Sequence, residues 1–262
     1  MSAVFAERLA RPPQRADVAA GGTPRGASLS SDELAGMLAG RWFAALPEPL
    51  RRDIVAQSKI RRVAAGTMLA ERGDANASWI GVVRGAVRLG TPLADGRSFT
   101  LDFMGPGQWF GDIAAIDQGT IGLDIVAQVP STILEVPRIE LRRLLERHEP
   151  LRDALLQLNC RRLRYMSRRF EELHTLALQQ RLARELLRLA QRFGRAGDAG
   201  TVIGLAVSQG DLAALIGGSR QRVNRALGQL QQAGIVGLGA ARMIVRDARR
   251  LAAAAASPLA AR

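Results

Sequence analysis

Cysteine is nearly absent from this chain. Cys160 stands alone in 262 residues, which rules out a disulfide framework and favours a reducing compartment. Histidine is almost as scarce, with only His148 and His174. The residues show no metal-ligand cluster, nucleophile elbow, phosphate loop or catalytic-triad spacing, so no catalytic or metal site is expected. No apolar run approaches the roughly 20 residues that span a bilayer, so a membrane partner is not expected. The first 30 residues lack the apolar core of a signal peptide and are rich in Ala, Gly, Pro and Arg. They read as a disordered N-terminal extension of a cytoplasmic protein.

Acidic residues thin out towards the end. From Leu178 to Arg262 there are 13 arginines, no lysine and four acidic residues, a net of +9 within a chain total of +13. Lys59 is the only lysine, so genome composition explains the choice of arginine, but not the loss of acids. Basic charge gathered in one region is the electrostatic footprint of phosphate contacts.

Inside that region, Val207 to Gly234 reads as two helices and a tight turn. Ser208 and Asp211 fit a capping box before Leu212, Ala213, Leu215 and Ile216. Gly217-Gly218 breaks the helix, since glycine tolerates positive φ. Ser219 is a natural cap for the second helix. There Val223, Ala226, Leu227 and Leu230 form one apolar face at helical period. Arg220, Gln221, Arg222, Asn224 and Arg225 are left to the polar side, which has no acidic residue. Arginine can bond guanine twice, and glutamine or asparagine can do so to adenine. These residues, with Ser219, are the candidate contacts to double-stranded DNA. An amphipathic helix with a solvated face is the bland alternative.

Upstream, Arg41 to Val136 looks β-rich, with short apolar runs between glycine turns, as in a small barrel or roll. Trp79–Val83 and Ala86–Leu89 flank Arg84-Gly85 as an expected hairpin. Phe99, Leu101 and Phe103 alternate with Thr100 and Asp102, as in a half-buried strand. Pro137 to His148 switches to helical period. Glu149 to about Leu176 then lacks glycine, with proline only at Pro150, where a first turn tolerates it. Leu156, Asn159, Leu163, Met166, Phe170, Leu173 and Ala177 alternate in steps of three and four, a heptad seam. Pairing with its own copy would make a two-fold dimer suited to paired half-sites. A shift at Asn159 or Met166 in that seam would move both reader helices.

Roll, long helix and C-terminal helix-turn-helix, in that order, resemble the Crp-Fnr regulators. Gly85-Ala86-Val87-Arg88, Asp95-Gly96-Arg97 and Gly105-Pro106-Gly107-Gln108-Trp109-Phe110-Gly111-Asp112 are similar to the family's successive roll strands and turns. Ser219 to Leu227 is similar to its recognition helix. The resemblance covers roughly Leu34 to Leu251. It implies an α+β fold: a disordered extension over 1–30, a cyclic-nucleotide-binding-type β-roll over 31–148, a dimerisation helix over 149–177, a winged helix-turn-helix over 178–252 and a tail over 253–262. The wing would use strands near Thr201–Ala206 and Ile235–Val245. RNA polymerase is an implied partner. Arg220 and Arg225 match two base-reading arginines, while Gln221 stands where many members have glutamate.

The effector pocket implied by the resemblance comprises Gly111, Asp112, Ile113, Ile121, Gly122, Met166 and Ser167. Asp112 replaces a ribose-binding glutamate. Ile121 and Gly122 replace the arginine and serine that hold a cyclic phosphate. Losing that arginine removes a charge-assisted bidentate contact, so cyclic AMP is not expected to bind in the usual way. One cysteine in the long helix excludes the family's iron-sulfur branch. Haem lacks a convincing axial ligand, since a lone histidine is more often structural. A cyclic dinucleotide, with Arg88, Arg97, Arg168 and Arg169 as phosphate partners, or no effector at all, stay open.

Overall fold

The computed structural model describes residues 28–75, 78–239 and 242–256. Most of the expected N-terminal extension and the end of the tail lie outside these residues. The described residues form two compact units: one from those of 28–89 with 106–148, the other from those of 90–105 with 149–256.

The first unit begins with three helices, two of which lie at the start of the stretch from Arg41 expected to be β-rich. Helices α1 (Ser31–Leu38), α2 (Arg41–Ala44) and α3 (Glu48–Ala56) precede the strands. Each is short, so its burial depends on partners distant in sequence. Ser30 caps α1 through a capping box with Glu33. Glu33 also accepts from Arg62 at 2.8 Å and from Thr132 at 2.9 Å. Burial alone would raise its carboxyl, but the Ser30 N–H, Arg62 and Thr132 hold it down at about 2.

The strands are β1 (Lys59–Val63), β2 (Met68–Ala70), β3 (Ser78–Arg84), β4 (Val87–Pro92), β5 (Ser98–Met104), β6 (Trp109–Phe110), β7 (Asp124–Ala127) and β8 (Ser131–Pro137). Helices α4 (Asp112–Asp117) and α5 (Arg138–Arg147) complete the region. One sheet runs β1-β8-β3-β6 and a second β2-β7-β4-β5. The expected hairpin at Arg84-Gly85 therefore does not form. β3 is antiparallel to β8 on one edge and β6 on the other, so neither edge is free for β4. Gly85, at φ +84°, turns the chain from one sheet to the next, and a Cβ there would come within 2.4 Å of Ser131 Oγ. Gly81 lies so close to Trp109 that a Cβ would reach 2.7 Å from its ring. Trp79 and Trp109, 4.3 Å apart, join Trp42 and Phe43 in an aromatic core.

The second unit is built on α6 (Glu149–Thr175), α7 (Leu178–Phe193), α8 (Gln209–Ile216), α9 (Arg220–Gln232) and α10 (Ala248–Ala256). Strands β9 (Gly194–Gly197), β10 (Gly200–Ile203), β11 (Val236–Gly239) and β12 (Arg242–Val245) form an antiparallel sheet ordered β11-β12-β10-β9. β9 was not foreseen. α7 buries Leu178, Leu182, Ala183, Leu186 and Leu189, the inward stripe of an amphipathic helix. α10 buries Leu251, Ala254 and Ala255, so packed chain continues past the expected boundary at 252. Residues 90–105 belong to this unit: Arg192 pairs with Asp102 at 2.6 Å and also donates to the Phe103 carbonyl. In β5 the expected alternation is reversed at one end. Phe99 is exposed, whereas Thr100 and Phe103 are buried.

Candidate nucleic-acid interface

The two short helices and their turn form as local chemistry dictates. Asp211 N–H donates to Ser208 Oγ at 3.0 Å, and Ser208 N–H donates to Asp211 Oδ2 at 2.8 Å, completing the capping box of α8. Gly217 adopts the left-handed conformation at φ +66°. At Gly218 a Cβ would come within 2.6 Å of Leu178, so the turn packs tightly on α7. Ser219 Oγ accepts from Arg222 N–H at 3.3 Å and starts α9. Val223, Ala226, Leu227 and Leu230 are all buried.

That burial leaves Ser219, Arg220, Gln221, Arg222, Asn224 and Arg225 exposed together. α9 itself contains no acidic residue. Asn224 accepts from Gln209 Nε2, at the start of α8, at 2.9 Å. Arg181, in the first turn of α7, was not anticipated. Its Nη1 donates to the Leu173 carbonyl at 3.2 Å, while its buried Nε has no hydrogen-bond partner among the described residues. Burial, and then the charge of Arg222, lower its pKa. Two arginines near the start of α9 thus share positive potential, an arrangement suited to an anionic backbone.

The seam residues of α6 point to solvent. Leu156, Leu163 and Phe170 are 66%, 69% and 67% exposed, and Met166 and Leu173 are exposed as well. Asn159 is half-buried and bonds the Leu155 carbonyl of its own helix. The seventh seam position fails: α6 ends at Thr175, and Ala177 is the N-cap of α7. The adjoining stripe, Tyr165, Arg169 and Glu172, faces the protein instead. Arg169 pairs with Glu185 at 2.6 Å, and Glu172 accepts from Arg184 at 2.9 Å and from Arg188. Burial raises the pKa of Glu185. Glu172 and Glu185 stand among many arginines in the sequence, but their partners were not legible, because Arg184, Arg188 and Arg169 lie 12 to 16 residues away.

The pocket candidates fall in both units. In the first, Gly111 takes φ +86° and Asp112 is fully buried at the start of α4, whereas Ile113 is 64% exposed. Ile121 is buried, and its N–H donates to the Asp74 carbonyl at 2.9 Å. Gly122 is exposed with open space around it. In the second, Met166 is exposed and Ser167 Oγ donates to the Leu163 carbonyl of its own helix at 2.9 Å. Of the arginines considered for a dinucleotide, Arg97 is bonded to Asp95 at 2.7 Å and Arg169 is committed to Glu185.

A nucleotide-binding type of β-roll followed by a long helix and a winged helix-turn-helix defines a DNA-binding transcriptional regulator. Residues 60–148 match the cyclic nucleotide-binding domain, and residues 180–254 the Crp-like helix-turn-helix domain. The chain is 30% identical over 173 residues to the CRP-like cAMP-activated global transcriptional regulator of Mycobacterium tuberculosis, covering 65% of this chain and 76% of that protein. It is 31% identical over 180 residues to the cyclic AMP receptor protein of Thermus thermophilus, covering 69% and 80%. The solved structure of FixK2 from Bradyrhizobium japonicum is similar with a TM-score of 0.66 and 25% identity, covering 75% of this chain and 96% of that one. The chain belongs to the Crp-Fnr family of transcriptional regulators. Among the described residues no helix is long and apolar enough to cross a membrane.

Proposed function

We propose that this regulator acts as a homodimer that reads a palindromic DNA site with α9 of each copy. The observation that carries the reading is the polar face of α9: Arg220, Gln221, Arg222, Asn224 and Arg225 exposed together on a helix with no acidic residue. Its opposite face is fully spent on packing, so the polar face is free to enter a major groove. The exposed stripe on α6 supports the dimer, since contiguous apolar surface at heptad spacing finds its partner in an identical helix. Two copies would place two reader helices about one DNA turn, roughly 34 Å, apart. RNA polymerase is the partner expected of such a regulator once bound beside a promoter.

Cyclic AMP in the usual mode is disfavoured. The Mycobacterium tuberculosis relative is cAMP-activated by name. Here a buried isoleucine, Ile121, and an exposed Gly122 occupy the positions where the family resemblance puts the phosphate-binding pair. No guanidinium is supplied there to offset the desolvated phosphate. Of the four arginines considered for a cyclic dinucleotide, Arg169 is committed to Glu185 in a buried pair, whereas Arg97 meets Asp95 only at the exposed surface, so a dinucleotide and effector-independent binding are both retained.

Mobility shift with Arg220 and Arg225 both changed to alanine tests the DNA assignment. Loss of sequence-specific binding is expected. Unchanged specific binding would leave the helix-turn-helix as a mere interaction scaffold. Calorimetry tests the pocket: micromolar binding of cyclic AMP would defeat that part of the reading.

A further inference from the structure

Arg169 sits on α6 in the turn between the seam residues Met166 and Phe170, yet its side chain is only 15% exposed. It is bonded to three elements at once. Nη1 donates to Tyr165 Oη at 3.0 Å, one turn back on α6, and to Glu185 Oε2 at 2.6 Å on α7. Nη2 donates to the Leu215 carbonyl at 3.0 Å, in the last turn of α8. A positive charge there also meets the negative end of the α8 dipole. Around it, α6 and α7 are cross-braced. Glu172 of α6 accepts from Arg184 and Arg188 of α7, and Arg188 also reaches Glu185 at 3.3 Å. Among these braces, only Arg169 continues to the helix-turn-helix. α9 packs on both α8 and α7, so the placement of that helix pair against α6 sets the direction of the reading face.

We propose that Arg169 is a positioning residue for DNA reading: it fixes the angle at which the reader head leaves the dimer helix, and so the separation of the two recognition helices. The proposal rests on the dimeric DNA-binding function proposed above. Its chemistry requires a planar guanidinium. A lysine can neutralise Glu185 but cannot present a rigid fork to a carboxylate, a phenol and a carbonyl together. Without the fork, α8 keeps its own core and the contact of Leu173 with Gly217 but loses its hydrogen bond to α6.

The test is selection of DNA from a library in which two half-sites are separated by spacers of varied length. It uses the full chain and the variants Arg169→Gln, Arg169→Lys and Glu185→Gln. The wild type is expected to select one spacer. Arg169→Gln and Glu185→Gln should accept spacers differing by about one base pair. They should bind the preferred spacer about tenfold less tightly. Half-site base preferences, and the dimer seen by sedimentation, should not change. Arg169→Lys should fall between. A merely destabilised head would bind less without broadening its spacer choice. A single sharp spacer retained by the variants overturns the proposal at any affinity. Should Arg169→Gln fail to fold, Glu185→Gln keeps the side-chain shape and decides alone. A wild type that selects single half-sites would instead overturn the dimeric reading.

Discussion

Replacing Phe170 by alanine offers the most direct quantitative check on the dimer. Phe170 is 67% exposed, and its ring touches only His174 at a centroid distance of 4.4 Å among the aromatic contacts. The fold of one copy should therefore hardly notice the change. A phenylalanine side chain presents about 200 Å² when free. Two thirds of that is roughly 130 Å² per copy, which at about 25 cal/mol per Å² is worth about 3 kcal/mol. Alanine keeps part of this contact, so a loss of about 2–2.5 kcal/mol per copy, or roughly 5 kcal/mol per dimer, is expected. At about 1.4 kcal/mol per decade, the dissociation constant should rise by roughly three orders of magnitude. Sedimentation equilibrium over a concentration series reads this directly. Arg164→Gln, exposed on the outer side of the same helix, is the control and should leave the constant unchanged. A Phe170→Ala dimer within about threefold of wild type would refute the reasoning, because no buried seam loses that little.

Three further outcomes are expected. Gln221→Glu should alter the selected base at one position of each half-site, since a carboxylate only accepts where an amide also donates; identical binding logos would contradict this. Leu230→Ala, at a site with no solvent exposure, should lower stability by about 2–5 kcal/mol in thermal or urea unfolding. Glu33 is held at about 2, below its usual 4.5, so its contribution is fully present above about pH 4.5 and is lost as pH falls towards 2. In Glu33→Gln the stability deficit relative to wild type should shrink through that window; a deficit independent of pH would exclude the carboxylate as its source.

What could be read from the chain depended on how far apart the partners lie. Ser208, Asp211, Gly217 and Ser219 act within three residues or at a single backbone position, so caps and turn were legible. The long helix was legible because Glu149 to Thr175 lacks any glycine. Its seam was overextended to Ala177 because the 3-4 spacing continues by chance beyond the helix end. At Arg84-Gly85 the local signal for a hairpin was present, but β8, nearly fifty residues later in the chain, competes for the same edge of β3. Phe99 and Thr100 exchange their expected roles at one end of β5 while Phe103 stays buried as expected, because alternation does not say where along a strand a face leaves the core. In the candidate DNA face, residue type and helical phase carried the information. In the roll, the departures at Ile121 and Gly122 were plain, but their contacts were not. Arg169 looked like any member of an arginine-rich stretch; its partners Glu185 and Leu215 lie 16 and 46 residues onward.

The brace also changes what a shift at the seam would do. Met166, Arg169 and Phe170 share one turn of a single continuous helix, so any rotation of α6 in the dimer carries the guanidinium with it. Were α6 tied to α7 only through Leu176-Ala177, that rotation could be absorbed by two backbone torsions at the junction. Three ion pairs from α6 to α7, with the added bond to the Leu215 carbonyl, resist such bending. Breaking one would strand a buried carboxylate, Glu172 or Glu185, beside fewer arginines, a costly arrangement in a poorly solvated site. The softer response is to move α7, α8 and α9 together. A change in helix crossing at Met166 or Phe170 would therefore reach the DNA as a rigid displacement of the reading face, with Arg169 supplying the hydrogen bond that carries it from α6 to α8.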